Sequence, residues 1–310
     1  MLLHDIIGRE APDHMDSKPL ECVEVERGIN HREGDIYIVT YPKTGTTILQ
    51  YMCHLLRTKC EGADFEDIHQ VCPHTSSAWF IDQDLNAPQE APPRLFKSHR
   101  KLEQVAPFAK GVKYIATIRD PTRTLMSVWS FRQERGNADP NEATVIDFAK
   151  SKRWTQSNNG SSVTSYFDHI AGFWKCRHAS NFLLIPFEDF VECREKWLPL
   201  IADFMGVSCN DSLVAKVAFM TSKEEMLKNV SKFDESWCRA QREAKGRPHP
   251  KIIKDAAKVT RGHDISSVLQ DEELKKIQQS LWDAKVAAVT GINNYDEMRR
   301  LLCEQHFPRD

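Results

Sequence analysis

No apolar run in this sequence approaches the roughly 20 residues needed to cross a bilayer, which excludes a membrane-spanning helix and, with it, a membrane partner. The first residues, MLLHDIIGREAPDH, carry an early acid at Asp5 and neither a basic start nor a long apolar stretch, so no secretory leader is expected. No C-x-x-C pair occurs. The nine cysteines are odd in number and scattered from Cys22 to Cys303, a pattern expected of free cytoplasmic thiols rather than a disulfide framework or a zinc site. A charge excess is missing as well. The 42 Lys and Arg against 44 Asp and Glu leave a net charge of -2, which argues against general nucleic-acid binding. Internal repeats and low-complexity tracts are absent, so a solenoid is excluded.

What remains is an ordinary globular composition, 41% hydrophobic and 28% charged over 310 residues, enough for one large core. Residues 1–34 are polar and irregular and read as a lead-in to one domain over 35–310. Four short apolar runs read as strands: 35–41, 94–99, 112–120 and 182–187. Near-continuous β-branched and aromatic runs such as DIYIVTY suit parallel strands buried on both faces. After the first run, Ile48, Leu49, Met52, Leu55 and Leu56 keep helical spacing. Further helices are expected over 122–135, up to Gly206 from Glu192, and over 271–291. Residues 61–93 read as loop-rich, and the charged stretch 228–263, with Pro248 and Pro250, as mobile. Strands alternating with helices indicate an α/β fold: a central, mainly parallel sheet flanked by helices.

Thr40-Tyr41-Pro42-Lys43-Thr44-Gly45-Thr46-Thr47 falls at the first strand-to-helix junction. A helix N-terminus offers unpaired N–H donors and the positive end of a dipole. Gly45 lets a ligand approach the backbone, Lys43 adds a charge, and Thr44, Thr46 and Thr47 add hydroxyls, a set suited to phosphate. It is not the nucleotide-triphosphate loop G-x-x-x-x-G-K-S/T, because Lys43 precedes the single glycine.

The stretch YPKTGTT resembles the Y-P-K-S-G-T-T loop of the cytosolic sulfotransferase family. In that family the loop binds the 5′-phosphosulfate of PAPS, 3′-phosphoadenosine 5′-phosphosulfate, and releases PAP. Further matches follow in order. Pro93-Arg94-Leu95-Phe96-Lys97-Ser98-His99 resembles the segment that carries the general base, which implies His99 as base and Lys97 as its helper. Arg119 and Ser127, eight residues apart, resemble the 3′-phosphate ligands. Arg261-Gly262 resembles part of a third contact to that phosphate, with Lys258 nearby. Thr221-Ser222 resembles another donor-binding pair. The adenine site departs from the family: Ile48, Phe187 and Lys223 stand where Trp, Tyr and Phe are expected. No metal is implied.

The resemblance puts the acceptor pocket in the loop with His74, Trp79 and Phe80 and around Trp129 and Phe131. The first of these loops also holds His69, Asp82, Asp84 and Glu90, which favours a polar or cationic small-molecule acceptor. The implied activity is in-line sulfuryl transfer from PAPS to a hydroxyl or amine, in the cytoplasm, with His99, Lys43 and Lys97 at the reaction centre. A nucleotide kinase or NTPase built on the same strand–loop–helix logic, and a non-catalytic nucleotide-binding relative, stay open. So does the oligomeric state.

Overall fold

The computed structural model describes residues 29–102, 111–136, 138–156, 165–247, 257–259 and 265–308. Four strands form one sheet: β1 (Ile36–Val39), β2 (Leu95–Ser98), β3 (Lys113–Ile118) and β4 (Phe182–Pro186). All pairs are parallel, in the order β2-β1-β3-β4. Ile36 sits beside Leu95 on one side and Lys113 on the other, and Ile115 pairs with Leu183. Each expected strand is present, trimmed at its ends.

Parallel strands need crossovers, and helices on both faces bury them. Side chains alternate across the sheet accordingly. Ile36, Ile38, Leu95 and Ile185 join one core with α1 (Thr46–Arg57) and with the helices Arg194–Met205 and Asp211–Met220. Tyr37, Val39, Phe96 and Leu184 join the other, with Phe167 and Phe173 of the helix Tyr166–Cys176, Leu274 and Trp282 of the helix Glu272–Trp282, and Met298 of the helix Tyr295–His306. In chain order, the helices used below are α1, α2 (Ile68–Val71), α3 (Pro121–Glu134), α4 (Tyr166–Cys176), α5 (Arg194–Met205), α6 (Asp211–Met220), α7 (Ser236–Ala244), α8 (Glu272–Trp282) and α9 (Tyr295–His306).

Local signals explain the helix ends. Asp120 caps α3 by accepting from Arg123 N at 2.7 Å, and Gly206, at φ 75°, ends α5 in the left-handed conformation that suits glycine. The closing helix runs on from α8 through a π turn over Asp283–Ala287 and reaches Gly291. The stretch 61–93 is loop-rich as expected, broken only by α2 and a 3₁₀ turn at Ala78–Ile81. One expectation needs correction. Within the charged stretch 228–263, expected to be mobile, Phe233 is fully buried against Tyr51 and Phe65, and α7 follows it; residues 248–256 and 260–263 lie outside the described residues. Of the lead-in, residues 1–28 lie outside the described residues, and its end is tied down: Arg32 Nη2 donates to Asn86 O at 2.7 Å.

One buried ion pair joins that end to the sheet. Arg94 donates from Nε to Asp35 Oδ1 at 2.9 Å and from Nη2 to Asp35 Oδ2 at 2.6 Å, with both residues almost wholly enclosed. Removing one partner strands the other charge, which costs about 3–5 kcal/mol. Asp35→Ala is therefore expected to lower the urea unfolding free energy by about that amount, and an unchanged urea midpoint would refute the pair's role.

Candidate active site

The strand order reverses at β1, whose two neighbours lie on opposite sides, and in such sheets ligands bind beyond the carboxyl ends of the strands. The residues singled out in the sequence follow those ends. Lys43 and Gly45 follow β1, His99 follows β2, Arg119 follows β3 and Phe187 follows β4.

The loop after β1 is held by its own hydroxyls. Thr44 Oγ1 donates to Tyr41 O at 2.8 Å, and Thr117 Oγ1 of β3 donates to Thr44 O at 2.8 Å. Thr46 Oγ1 lies 2.6 Å from Thr40 Oγ1. Thr44 and Thr46 are both buried, so their side chains build the loop. Thr47 is half-buried on the first turn of α1. Gly45, at φ 100°, is the N-cap of α1 and has no side chain with which to cap it. A Cβ there would lie 2.3 Å from Cδ2 of Phe187, so this aromatic presses directly on the loop.

Arg119 shares the same ring. Its guanidinium carbon is 4.8 Å from the Phe187 centroid, and Nη1 donates to Lys43 O at 2.8 Å. Arg119 Nε is buried and meets no hydrogen-bond acceptor among the described residues, as expected of a group that awaits an anion. Tyr166 of α4 fixes this strand end, its hydroxyl accepting from Arg119 N at 2.9 Å. Ser127 is half-buried on α3. Arg261 and Gly262 lie outside the described residues.

Lys43 places Nζ 4.1 Å above the ring of Phe131, which Arg135 also approaches at 5.0 Å. Burial, with Arg119 and Lys258 adding to it, brings the Lys43 ammonium down to about 8, against the opposing pull of Glu134 and Glu235. A cleft of about 770 Å³ opens here, lined by Pro42, Lys43, Phe131, Arg132, Glu142 and Arg153 among others.

His99 Nδ1 lies 2.8 Å from Thr40 O. A carbonyl only accepts, so Nδ1 carries the proton and Nε2 keeps its lone pair. Burial, then the charge of Lys97, holds the imidazole well below its ordinary value, so it is neutral and able to take a proton at neutral pH. Lys97, 5% exposed on β2, is brought down to about 7, by burial first and by Lys258 second. His74 reaches this place because its segment pairs with β2: Lys97 N donates to Pro73 O at 2.8 Å. Its ring meets that of His99 edge-on, 5.3 Å between centroids.

The remaining expected residues have partners of their own or face solvent. Trp79 is 68% exposed, Phe80 sits under Arg242 of α7 at 4.2 Å, and Trp129 Nε1 donates to Glu142 O at 3.1 Å. Thr221 Oγ1 donates to Val217 O at 2.7 Å and Ser222 caps the next helix, so both serve the backbone. Sequence reasoning missed Thr117 and Tyr166. Neither carries a local signal, since their partners lie 73 and 47 residues away.

The family model described as Sulfotransferase domain matches residues 33–251, which include β1, His99, Arg119 and Phe187. The chain belongs to the sulfotransferase domain family. Sulfotransferase 2B1 of Mus musculus is 28% identical over 215 residues, 66% of this chain and 61% of the relative. Sulfotransferase 4A1 of Mus musculus is 25% identical over 251 residues, 78% and 81% of the two chains. The chain thus spans about three fifths of the length of the first curated relatives it matches. Among solved structures, retinol dehydratase in a complex with retinol and PAP superposes with a TM-score of 0.63, 16% identity and coverage of 84% of this chain and 83% of that one. Mouse sulfotransferase SULT7A1 complexed with PAP gives 0.61, 23% and 89% of each chain. These two likenesses establish the fold. Within this domain the loop after β1, His99 and Arg119 stand at one end of one sheet.

Proposed function

We propose that this sulfotransferase moves a sulfuryl group from PAPS to a hydroxyl or amine of a small-molecule acceptor. The observation that carries the reading is the His99 tautomer, fixed by Thr40 O with Nε2 as the proton acceptor, beside Lys97 and the open N-terminus of α1. The residues present fit the donor: the uncapped amides at Gly45 and the orphaned Arg119 Nε are the groups an organic phosphate satisfies. PAPS supplies the sulfuryl group and leaves as PAP. Lys43 and the α1 amides hold the 5′ end, Arg119 and Ser127 the 3′-phosphate, and Arg261 joins them in the family's pattern. His99 Nε2 takes the acceptor proton while Lys97 and Lys43 offset charge that develops during transfer. His74 and Phe131 flank the acceptor. We read the protein as cytoplasmic, in line with the buried free thiols of Cys53, Cys60, Cys72 and Cys176.

The acceptor is read as polar, because charged residues such as Arg132, Glu142 and Arg153 line the cleft beside Lys43. The loop carboxylates give no support for a cationic one. Asp82 is bound by Lys245 at 3.1 Å and by Arg247 at 2.5 Å, and Asp84 holds its own turn through Asn86 N at 2.8 Å.

Calorimetry with PAP and, separately, with magnesium ATP tests the donor. Tight PAP binding with weak ATP binding is expected, and the reverse would favour a kinase. The pH dependence has a definite sign. A bound polyanion favours the ammonium form of Lys43, raising a pKa that is about 8 in the free chain. Binding therefore takes up protons above pH 8 or so, and PAP affinity falls as pH rises through that region. Equal binding enthalpies in buffers of different ionisation heat would show that no proton is taken up.

A further inference from the structure

We propose that Asp67, His69 and Cys238 form a site for one zinc-class divalent cation, apart from the phosphate loop and adjoining the reaction centre through His74 and Lys97. Asp67 is the N-cap of α2 and is fully enclosed. Its Oδ1 accepts from His69 N at 2.7 Å and from His69 Nδ1 at 2.6 Å. From the other side, α7 brings Cys238 Sγ to 3.5 Å from the same Nδ1. The ligating atoms of the three residues lie within 4.8 Å of one another. Tetrahedral zinc, with bonds of about 2.0–2.3 Å, holds its ligands somewhat over 3 Å apart, so side-chain shifts of a few tenths of an ångström to about 1 Å bring these three to that spacing and leave the fourth position to a water.

A second observation points to a ligand. Asp67 Oδ2 is buried and accepts no hydrogen bond among the described residues. A carboxylate oxygen held from water without a donor is costly, and a metal ion removes that cost. One imidazole nitrogen, one thiolate and one carboxylate suit zinc or cobalt and do not suit magnesium or calcium, which prefer all-oxygen shells. The ligands are backed as metal ligands usually are: Gln83 Nε2 donates to His69 O at 2.8 Å, and the Gln70 side chain completes the capping box at Asp67.

The charge balance is simple. Cys238 releases its thiol proton, His69 moves its proton from Nδ1 to Nε2, and the ion binds the two freed lone pairs and Asp67. Asp67 with a neutral thiol carries one negative charge, and Asp67, thiolate and dication together carry none. Lys97 and Lys258 also face this cluster and oppose a cation, which weakens the site. The bound ion would cross-link α7 to the segment that leads from α2 to His74.

The test uses the full chain stripped of metal and titrated with zinc or cobalt chloride. One equivalent per chain is expected, with a thiolate-to-cobalt charge-transfer band in the near ultraviolet and a higher melting temperature. Cys238→Ser should abolish the band, and Cys209→Ser should keep it. Asp67→Asn preserves the helix cap, so the variant should fold and bind more weakly while retaining the band. Absence of stoichiometric binding, or a band that survives Cys238→Ser, would overturn the proposal.

Discussion

His99→Ala is expected to slow sulfuryl transfer by about 10²–10⁴-fold, the usual contribution of a positioned general base, while PAP binding stays as in the unsubstituted chain. The split follows from the geometry. His99 is fixed through Nδ1 to Thr40 O, beyond β2, whereas the donor contacts are assigned to the loop after β1 and to Arg119 after β3. Loss of the imidazole removes the proton acceptor without touching the α1 N-terminus. The pH profile provides an independent check. Since burial and Lys97 hold the imidazole well below its ordinary value, the acid limb of kcat/KM should lie below the usual histidine range. A His99→Ala enzyme with full turnover, or an acid limb above that range, would sink the assignment of the base.

Much of this site is legible in the sequence because its parts are short and contiguous. The residues from Tyr41 to Thr47 sit between a buried apolar run and a helical spacing, and β1 and α1 form where those patterns predict. The strands are legible for a physical reason: burial on both faces forces near-continuous apolar runs. The rest depends on pairings between distant segments. Thr44 reads as a ligand hydroxyl, yet its neighbours across the sheet at Thr117 turn it inward. Trp79 reads as a pocket aromatic and lies at the surface, where Arg247 stacks on it at 5.0 Å. The Asp67–His69–Cys238 cluster leaves no spacing signature at all, since α7 returns to α2 only in the folded chain. The helix Tyr295–His306 had a readable start in Asn294 and Glu297, but its core face, Met298 and Leu302, is too sparse to stand out.

Phe187, which departs from the family pattern, packs against the loop after β1. Its ring rests on Gly45 and beneath Arg119, and neither contact needs a hydroxyl. The residues after it are structural: Asp120 N donates to Glu188 Oε1 at 3.1 Å, and Asp189 binds Arg299 of α9. The turn after β4 therefore packs against the loop after β1 from one side while α9 holds that turn in place.

This contact makes Gly45→Ala the most damaging small substitution expected in the loop. Two costs coincide. An alanine at φ 100° is strained wherever its methyl points, and here the methyl would meet Phe187 Cδ2 at 2.3 Å and Cε2 at 2.4 Å. Strain of this kind together with overpacking costs about 1–3 kcal/mol each, so a clear drop in melting temperature is expected. Relief requires the ring or the loop to move, and either shift disturbs the α1 amides and Arg119 together. PAP affinity should therefore fall by about tenfold or more, since 1.4 kcal/mol of lost interaction is already tenfold. Combining Gly45→Ala with Phe187→Ala separates the two costs. The second substitution removes the collision but not the backbone strain, so the double variant should recover part of the stability lost by Gly45→Ala, a non-additive result that neighbouring residues give. If Gly45→Ala melted and bound PAP like the unsubstituted chain, the close approach of Phe187 to the loop would not be a feature of the working protein.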